Sequence, residues 1–179
     1  ARDPHGQDLP HLIEHLGITQ GQVILSTVKT TAEELAVMYN AADFTINISD
    51  AEGFGLATLE SLACGTPIIV NMTGGLQEQV TDGKNWFGWG IHPSSKTVIG
   101  SLQVPYIYED RMNQQEFQTT LKKALNVSSK AYKKMSTGGI KHVKDNYSFE
   151  QLTNGWIDVM DNFVEANGSW DTRNNYQRW

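Results

Sequence analysis

The sequence predicts an α/β fold with a doubly wound, mostly parallel sheet and helices on both of its faces. Short apolar runs rich in β-branched residues alternate with segments of helical length. Residues that start or stop helices bound these segments, as Thr31 does before the second and Gly65 after the third. Such alternation is typical of βαβ units joined by right-handed crossovers.

The first eighty residues are expected to supply most of this pattern. A short helix is predicted first, closed by Gly17, and Thr31 is predicted to cap the next one. The predicted strands, at 23–27, 44–49 and 67–71, should be parallel neighbours in one sheet. The predicted helices cover 8–16, 31–40 and 56–64, with a short fourth helix starting near Leu76.

The second half is predicted to be mostly helical. Periodicity weakens from 86 to 108, although Phe87, Trp89 and Ile91 occupy alternate positions, as in a strand. Three helices are predicted at 113–126, 129–146 and 148–167, and the Gly138-Gly139 pair should break or kink the middle one. Residues 1–167 are therefore interpreted as one domain, and 168–179 as a polar tail.

Composition excludes several classes of protein. The 179 residues carry a formal net charge of −6, which argues against nucleic acid as the main partner. Cys64 is the one cysteine, so no internal disulfide can form, and no Cys/His group has zinc-site spacing. No apolar run reaches the roughly 20 residues of a membrane span. Asn47 and Asn71 begin Asn-x-Ser/Thr triplets but fall in predicted buried strands. We therefore expect a cytoplasmic location.

The stretch 49–56, SDAEGFGL, contains the strongest indication of a ligand site. It leads from a predicted strand through a glycine turn into a helix, and such turns lie at the sheet edge where ligands bind. Gly53 and Gly55 let the backbone approach a ligand, and the amides of the helix start can bind phosphate. Thr73-Gly74-Gly75 repeats this arrangement after the next strand, so two helix starts are expected to converge on one diphosphate.

Two carboxylates accompany the first glycine turn. Glu52 lies in the turn, and Glu60 lies about four residues into the helix, roughly 6 Å further along its axis. Glu52 could accept hydrogen bonds from sugar hydroxyls, and Glu60 could take the paired hydroxyls of a ribose. An alternative stays open, in which Glu52 only favours the helix dipole and Glu60 is a solvated surface residue.

The stretch 52–70, EGFGLATLESLACGTPIIV, followed by Gly74-Gly75 and Glu78, resembles the signature of a large family of retaining glycosyltransferases with the GT-B fold. That family includes sucrose synthases and many mannosyl- and glucosyltransferases. The resemblance is dense from 41 to 80 and more diffuse from 23 to 167. It identifies the chain as the C-terminal, nucleotide-sugar-binding Rossmann-like domain of such an enzyme.

The resemblance implies roles for particular residues. Glu52 would be the catalytic residue and would contact the donor sugar, while Glu60 would bind the ribose. The sugar and diphosphate would be bound by Gly53, Phe54, Gly55, Leu56, Thr73, Gly74 and Gly75, and Glu78 matches an acidic position of less certain role. The implied activity is transfer of a hexose from a GDP- or UDP-linked donor with retention, without a cofactor or essential metal.

The resemblance also leaves parts of the family pattern unmatched. An Arg and a Lys that neutralise the donor diphosphate follow the first strand in the family, and no such strand precedes Ala1. The chain is therefore expected to lack the first βα unit and the N-terminal acceptor domain, and to be inactive in isolation. The segment 86–112 is longer than the family's usual connection.

Other candidate sites are weaker. His11 and His15 have metal-binding spacing, but a surface helix face explains them better. Trp86, Phe87 and Trp89 could stack on a base, although core packing is favoured. Half of the 14 basic residues fall between 122 and 144, a pattern compatible with peripheral contact to an anionic membrane, although a solvated helical face is favoured.

Two alternative functions were compared with the transferase. A dinucleotide-dependent oxidoreductase should show Gly-x-Gly-x-x-Gly after its first strand, and that pattern is absent. A noncatalytic nucleotide-sugar-binding or partner-docking domain would keep the same pocket. Only turnover by the parent protein distinguishes this second alternative from an enzyme.

Overall fold

A computed structural model describes residues 7–172, and the chain divides into two units after Leu35. The first unit contains helix α1 (Leu9–His15), whose N-cap residue Asp8 accepts a hydrogen bond from the His11 amide at 3.3 Å. Gly17 follows the helix with φ of +68°, a conformation that glycine adopts without strain. The helix predicted at 8–16 is confirmed.

The strand predicted at 23–27 is wrong. These residues have no regular secondary structure and pair with no strand in the described part of the chain, and Ile24 is 88% exposed. Strand propensity reflects packing on a pleated, half-buried surface, and β-branched residues do not form a strand without a paired neighbour.

Helix α2 (Ala32–Ala41) starts with the capping box that the sequence predicts. The Thr31 hydroxyl accepts from the Glu34 amide at 3.2 Å, and the Glu34 carboxylate accepts from the Thr31 amide at 2.9 Å. Two amides that a helix start leaves unpaired are thereby satisfied.

The central sheet has three parallel strands in the order β1 (Thr45–Asn47), β2 (Ile68–Asn71) and β3 (Gly88–Ile91). Thr45 pairs with Ile68, which in turn pairs with Gly88. The parallel pairing of the segments predicted at 44–49 and 67–71 is confirmed, although β1 is shorter than predicted. The third strand is β3 rather than 23–27.

Helices cover both faces of the sheet. Helices α3 (Leu56–Ala63) and α4 (Leu76–Val80) pack on one face, where Ile68 and Val70 join Leu62 and Phe87 in the core. On the other face, Ile69 and Ile91 pack with Ala124 of helix α5 (Gln114–Leu125). All four β2 residues are buried, as expected of a central parallel strand.

The segment after β3 contains a hairpin that the sequence analysis did not predict. Strands β4 (Ser95–Ile99) and β5 (Ile107–Arg111) are antiparallel, and they form a separate two-stranded sheet. The predicted alternation before it is only partly right, because Phe87 precedes β3 and packs on the opposite face from Trp89 and Ile91. Trp89 is partly buried and contacts Phe44 edge to face at 5.2 Å, so it packs against the core as favoured, whereas Trp86 is 44% exposed.

The chain continues through α5 into helices α6 (Ser129–Asn146) and α7 (Phe149–Asn167). Asn113, Ser128 and Ser148 cap the three helices through their side chains. The kink that was the alternative stays a prediction, but the predicted break is wrong, because helix α6 continues through Gly138 and Gly139. Their missing side chains make room for Phe87 and Leu62, whose atoms would lie 3.1 and 2.9 Å from an added Cβ. Close packing therefore offsets the low helix propensity of this pair. Residues 173–179 of the predicted tail lie outside the described residues.

Candidate functional site

The first glycine turn lies at the carboxyl edge of the sheet, where the sequence analysis places it. Strand β1 ends at Asn47, and α3 begins at Leu56 with Gly55 as its N-cap residue. Gly55 has φ of +84°, and an added Cβ there would lie 2.7 Å from Leu76. Both the backbone conformation and the space at this position therefore require glycine. Gly53, Phe54 and Leu56 are exposed beside it.

The first glycine turn, which contains Gly53 and Gly55, contacts the second, Thr73-Gly74-Gly75, through backbone atoms. This contact is the glycine interlock. The Gly75 amide donates to the Gly53 carbonyl at 3.0 Å. A Cβ on Gly74 would lie 1.7 Å from the Glu52 carbonyl oxygen, and one on Gly75 would lie 2.7 Å from that of Phe54. The two turns therefore lie in contact, which depends on the absence of side chains at 74 and 75, while convergence of the two helix starts on one diphosphate stays a prediction.

A buried polar pair that the sequence analysis missed supports this arrangement. The Gln79 amide nitrogen donates to the carbonyls of Phe54 at 2.6 Å and Gly55 at 3.2 Å. The Thr58 hydroxyl donates to the Gln79 amide oxygen at 2.6 Å, and both side chains are fully buried. Gln79, one residue before the end of α4 (Leu76–Val80), carries no sequence signal, because its partners are backbone carbonyls distant in sequence.

Glu52 is half-buried and is held by the residue that ends β1. The Asn47 amide donates to the Glu52 carboxylate at 3.2 Å. The Asn47 oxygen accepts from the Ser49 amide at 3.1 Å and from its hydroxyl at 2.8 Å. Asn47 therefore orients both the carboxylate and the chain that leads into the turn.

Glu60 lies on the exposed side of α3 and has a different partner. The Tyr39 hydroxyl donates to its carboxylate at 3.1 Å. Burial, followed by the neighbouring Glu60 carboxylate, raises the pKa of Tyr39 from 10.0 to about 12. The two glutamates thus have separate surroundings, as their sequence separation implies.

The two helix starts differ in their capacity to bind an anion. No side chain caps α3, so its first amides face the turn without a side-chain acceptor. The amides of residues 75–78 instead donate to the carbonyls of Gly53, Thr73, Gly74 and Gly75. The expectation of phosphate binding therefore rests mainly on α3. The Thr73 hydroxyl donates to Asp110 at 2.9 Å, so its side chain is directed to β5.

An aromatic contact reaches the turn from the end of α6. Phe54 and Tyr147 meet edge to face at 5.9 Å between ring centroids. Tyr147 in turn contacts His142, which stacks on Phe87 at 4.6 Å. The His142 ring nitrogen Nε2 also lies 2.8 Å from the carbonyl oxygen of Glu78, whose own side chain is exposed. Sequence analysis could not have placed residues so distant in the chain at this site.

The weaker candidates lie on the surface. His11 and His15 are exposed on α1, as favoured, and the described residues contain no group of three side chains arranged to hold a metal. The basic residues between 122 and 144 are exposed on α5 and α6, and Lys141 pairs with Asp145. Within residues 7–172, every helix is too short or too polar to span a membrane.

Two cavities lie away from the glycine turns. One of about 520 Å³ is lined by Asp43, Phe44 and Tyr132, and another of about 650 Å³ by Trp86, Lys134 and His142. Neither includes Glu52, Glu60 or a glycine of the two turns. We place the site at the turns because uncapped helix amides and carboxylates can recognise a ligand, which volume alone does not do.

Comparison with known proteins identifies the family. Residues 4–102 match the family described as glycosyl transferases group 1, and this match covers both glycine turns. The chain belongs to this family. Membership of this family agrees with the resemblance to glycosyltransferases that the motif at 52–70 indicates.

Curated relatives match about half of this chain. A D-inositol 3-phosphate glycosyltransferase of Paenarthrobacter aurescens is 38% identical over 88 residues, covering 49% of this chain and 21% of the relative. A second such enzyme, from Catenulispora acidiphila, is 39% identical over 105 residues, covering 57% and 24%. The chain spans about a fifth of the length of the relatives it matches.

Solved structures of glycosyltransferases share the fold. Sucrose-phosphate synthase from Thermosynechococcus elongatus superposes with a TM-score of 0.67 and 21% identity, covering 93% of this chain and 38% of that protein. The C-terminal domain of a glycosyl transferase group 1 family protein from Francisella tularensis has a TM-score of 0.55 and 23% identity, covering 79% and 61%. The fold is therefore that of a GT-B glycosyltransferase domain.

Proposed function

We propose that this chain binds the nucleotide-diphosphate-sugar donor of a retaining hexosyltransferase. The interlocked glycine turns carry the proposal, because they place the uncapped start of α3 beside Glu52 in a member of glycosyl transferases group 1. Uncapped amides at a helix N-terminus suit the donor diphosphate. Glu52 and Glu60 then mark the sugar end and the ribose end of one ligand.

Glu52 is assigned to the reacting end of the donor. Transfer breaks the bond between the anomeric carbon and a diphosphate oxygen, and the electron pair leaves with the diphosphate. An acceptor hydroxyl oxygen forms the new bond to that carbon on the same face, and its proton passes to the departing diphosphate. Positive charge develops on the sugar, and a half-buried carboxylate beside it becomes more stabilising as that charge grows. Glu60, at the ribose, should stabilise the bound donor and the transition state equally.

Further parts of the proposal concern the whole protein. The donor is GDP- or UDP-linked, transfer needs no essential metal, and a second domain binds the acceptor. We expect this chain alone to turn over donor poorly, because the diphosphate-neutralising Arg and Lys of the family pattern are not in its motif. The protein is proposed to be cytoplasmic. The alternative is a peripheral membrane location, with its exposed lysines in contact with anionic lipid.

Substitution of the two glutamates tests the proposal in the full-length protein. Glutamine keeps an oxygen that can accept from Asn47 or Tyr39, so both variants preserve the local hydrogen bonds. Glu60→Gln should weaken nucleoside diphosphate binding about ten- to a hundredfold with little change in kcat. Glu52→Gln should lower kcat more than it weakens donor binding.

Calorimetry with the nucleoside diphosphate separates the two roles, because this ligand has a ribose and no sugar. Glu150→Gln, on the exposed start of α7, is the matched control and should leave both quantities unchanged. Unchanged nucleotide affinity in folded Glu60→Gln would remove the ribose assignment. Donor binding without turnover in the full-length protein would support the noncatalytic alternative.

A further inference from the structure

The β4–β5 hairpin is fixed to the candidate donor site at its base. The Asp110 amide, on β5, donates to the Asp50 carbonyl at 2.7 Å. The Arg111 guanidinium pairs with the Asp50 carboxylate at 3.0 Å. Asp50 comes two residues before Glu52, so the hairpin contacts the chain that leads into the first glycine turn.

Asn71 joins three segments at this point. Its side-chain amide, at the end of β2, donates to the Ser49 carbonyl at 3.0 Å and to the Asp110 carbonyl at 2.6 Å. The side chain is fully buried. Both amide protons are therefore used to hold the hairpin against the segment between β1 and the turn.

The Asp110 carboxylate reaches the second glycine turn. One oxygen accepts from the Thr73 hydroxyl at 2.9 Å, and the other lies 3.6 Å from the Lys96 ammonium of β4. Thr73 is buried and directly precedes Gly74. Fixing the Thr73 side chain thus fixes the backbone that enters the interlock.

Core packing does not explain these contacts. All five residues of β4 are exposed, and β5 has no buried residue. The hairpin buries little apolar surface, while its polar groups contact both segments that form the glycine turns. Its attachment is therefore better suited to shaping the site than to stabilising the fold.

We propose that Asp110 is a positioning residue of the donor site and acts by holding Thr73 against the glycine interlock. This inference rests on the proposed function, because it assumes that the interlock binds the nucleoside diphosphate. It assigns to the hairpin a part in donor recognition, through the orientation of the 73–75 turn rather than through contact with the ligand.

Substitutions at Asp110 test the inference in the full-length protein by calorimetry with UDP and GDP. Asp110→Ala should weaken binding of the preferred nucleotide about tenfold, since a carboxylate that fixes a hydroxyl is lost. Asp110→Asn keeps an oxygen that can accept from Thr73 and should bind within about twofold of the wild type. Thr97→Ala, exposed on β4 across from Glu109, is the matched control and should bind normally.

A double-mutant cycle identifies the partner. Thr73→Val removes the hydroxyl at constant shape, so combining it with Asp110→Ala should cost no more affinity than the larger single loss. Additive losses would overturn the assignment, as would an Asp110→Asn protein as weak as Asp110→Ala. Equal weakening by Thr97→Ala would also overturn it, because the hairpin would then act as a whole.

Hydrogen exchange separates this inference from the proposed function. In ligand-free protein, Asp110→Ala should speed amide exchange in residues 72–76, and Thr97→Ala should not. Wild-type protein that binds neither UDP nor GDP would reject the proposed function. If the wild type binds, an Asp110→Ala protein with unchanged nucleotide affinity would reject the role of Asp110. Unchanged amide exchange at 72–76 in that variant would reject it as well.

Discussion

Gly74 has the least tolerant position in the candidate site. Its φ is +48°, and a Cβ would lie 1.7 Å from the Glu52 carbonyl oxygen. A backbone oxygen cannot rotate away as the end of a side chain can. Any substitution here must therefore move one glycine turn relative to the other.

We expect Gly74→Ala to lower the free energy of unfolding and to abolish nucleotide binding. The strained backbone should cost about 1–2 kcal/mol, and the clash a further 1–3 kcal/mol or so. Gly83→Ala is the matched control, because Gly83 has φ of +86° with nothing within 4 Å of an added Cβ. Urea unfolding should show only the first cost in Gly83→Ala, and equal losses in both variants would contradict the interlock.

Tyr39 makes the stability of the α2–α3 contact depend on pH. Burial and the Glu60 carboxylate raise the Tyr39 pKa from 10.0 to about 12, so the fold favours the protonated phenol. Its contribution is fully present below the unfolded pKa and is lost as pH rises through the folded pKa. The relevant window is therefore between about pH 10 and 12.

Tyr39→Phe should remove this dependence. The difference in unfolding free energy between wild type and Tyr39→Phe should shrink as pH rises through that window, measured by urea unfolding at several pH values. Tyr106→Phe, at a tyrosine that is 77% exposed, should show no such trend. A constant difference for Tyr39→Phe would mean that the phenol and Glu60 are not coupled.

At the scale of elements, replacing a helical glycine with alanine should have opposite effects on stability, depending on what surrounds the glycine. Gly139 of α6 is buried, and an added Cβ would lie 2.9 Å from buried Leu62. Gly155 of α7 has nothing within 4 Å. Alanine improves helix propensity by about 1 kcal/mol at either position, but only Gly155 has room for it.

Gly155→Ala should slow amide exchange in α7 about fivefold, as expected for roughly 1 kcal/mol of helix stabilisation. Gly139→Ala should instead lower the thermal unfolding midpoint, because Leu62 has to shift within a packed core. A higher midpoint in Gly139→Ala would show that α6 and α3 are less closely packed than the structure indicates.

Features that depend on residues close in sequence were predictable, and features that depend on distant residues were not. Helix starts were predictable because Thr31 and Glu34 satisfy each other's amides within four residues. The position of both glycine turns at one sheet edge was predictable because glycines follow two successive strands, but their direct backbone contact was not. Gln79, Tyr147 and Asp110 were missed because their partners lie far away in sequence. The strand at 23–27 failed because strand formation depends on a neighbour that local propensity does not reveal.

At the scale of the whole molecule, α7 carries an apolar face that is open to solvent. Five large side chains recur at helical spacing and are each at least 57% exposed: Phe149, Leu152, Trp156, Met160 and Phe163. Contiguous apolar surface of this kind marks contact sites or promotes association.

The chain expressed alone should therefore self-associate. Trp156→Gln combined with Met160→Gln and Phe163→Gln should shift sedimentation toward the monomer and reduce binding of an apolar dye. Leu102→Gln, at a fully exposed leucine between β4 and β5, is the control and should change neither. A monomeric wild-type chain with no dye binding would show that this face does not drive association.

The position of β1 in the sheet has a consequence for assembly. Within the described residues β1 pairs only with β2, so one row of its backbone amides and carbonyls has no strand beside it. Ile46, in the middle of β1, is 45% exposed. An open edge of this kind is a template for strand addition, and soluble proteins usually protect it with charge, proline or a covering segment. The short run 45–47 contains no charged residue and no proline, so its own sequence does not protect this edge against pairing with another extended segment.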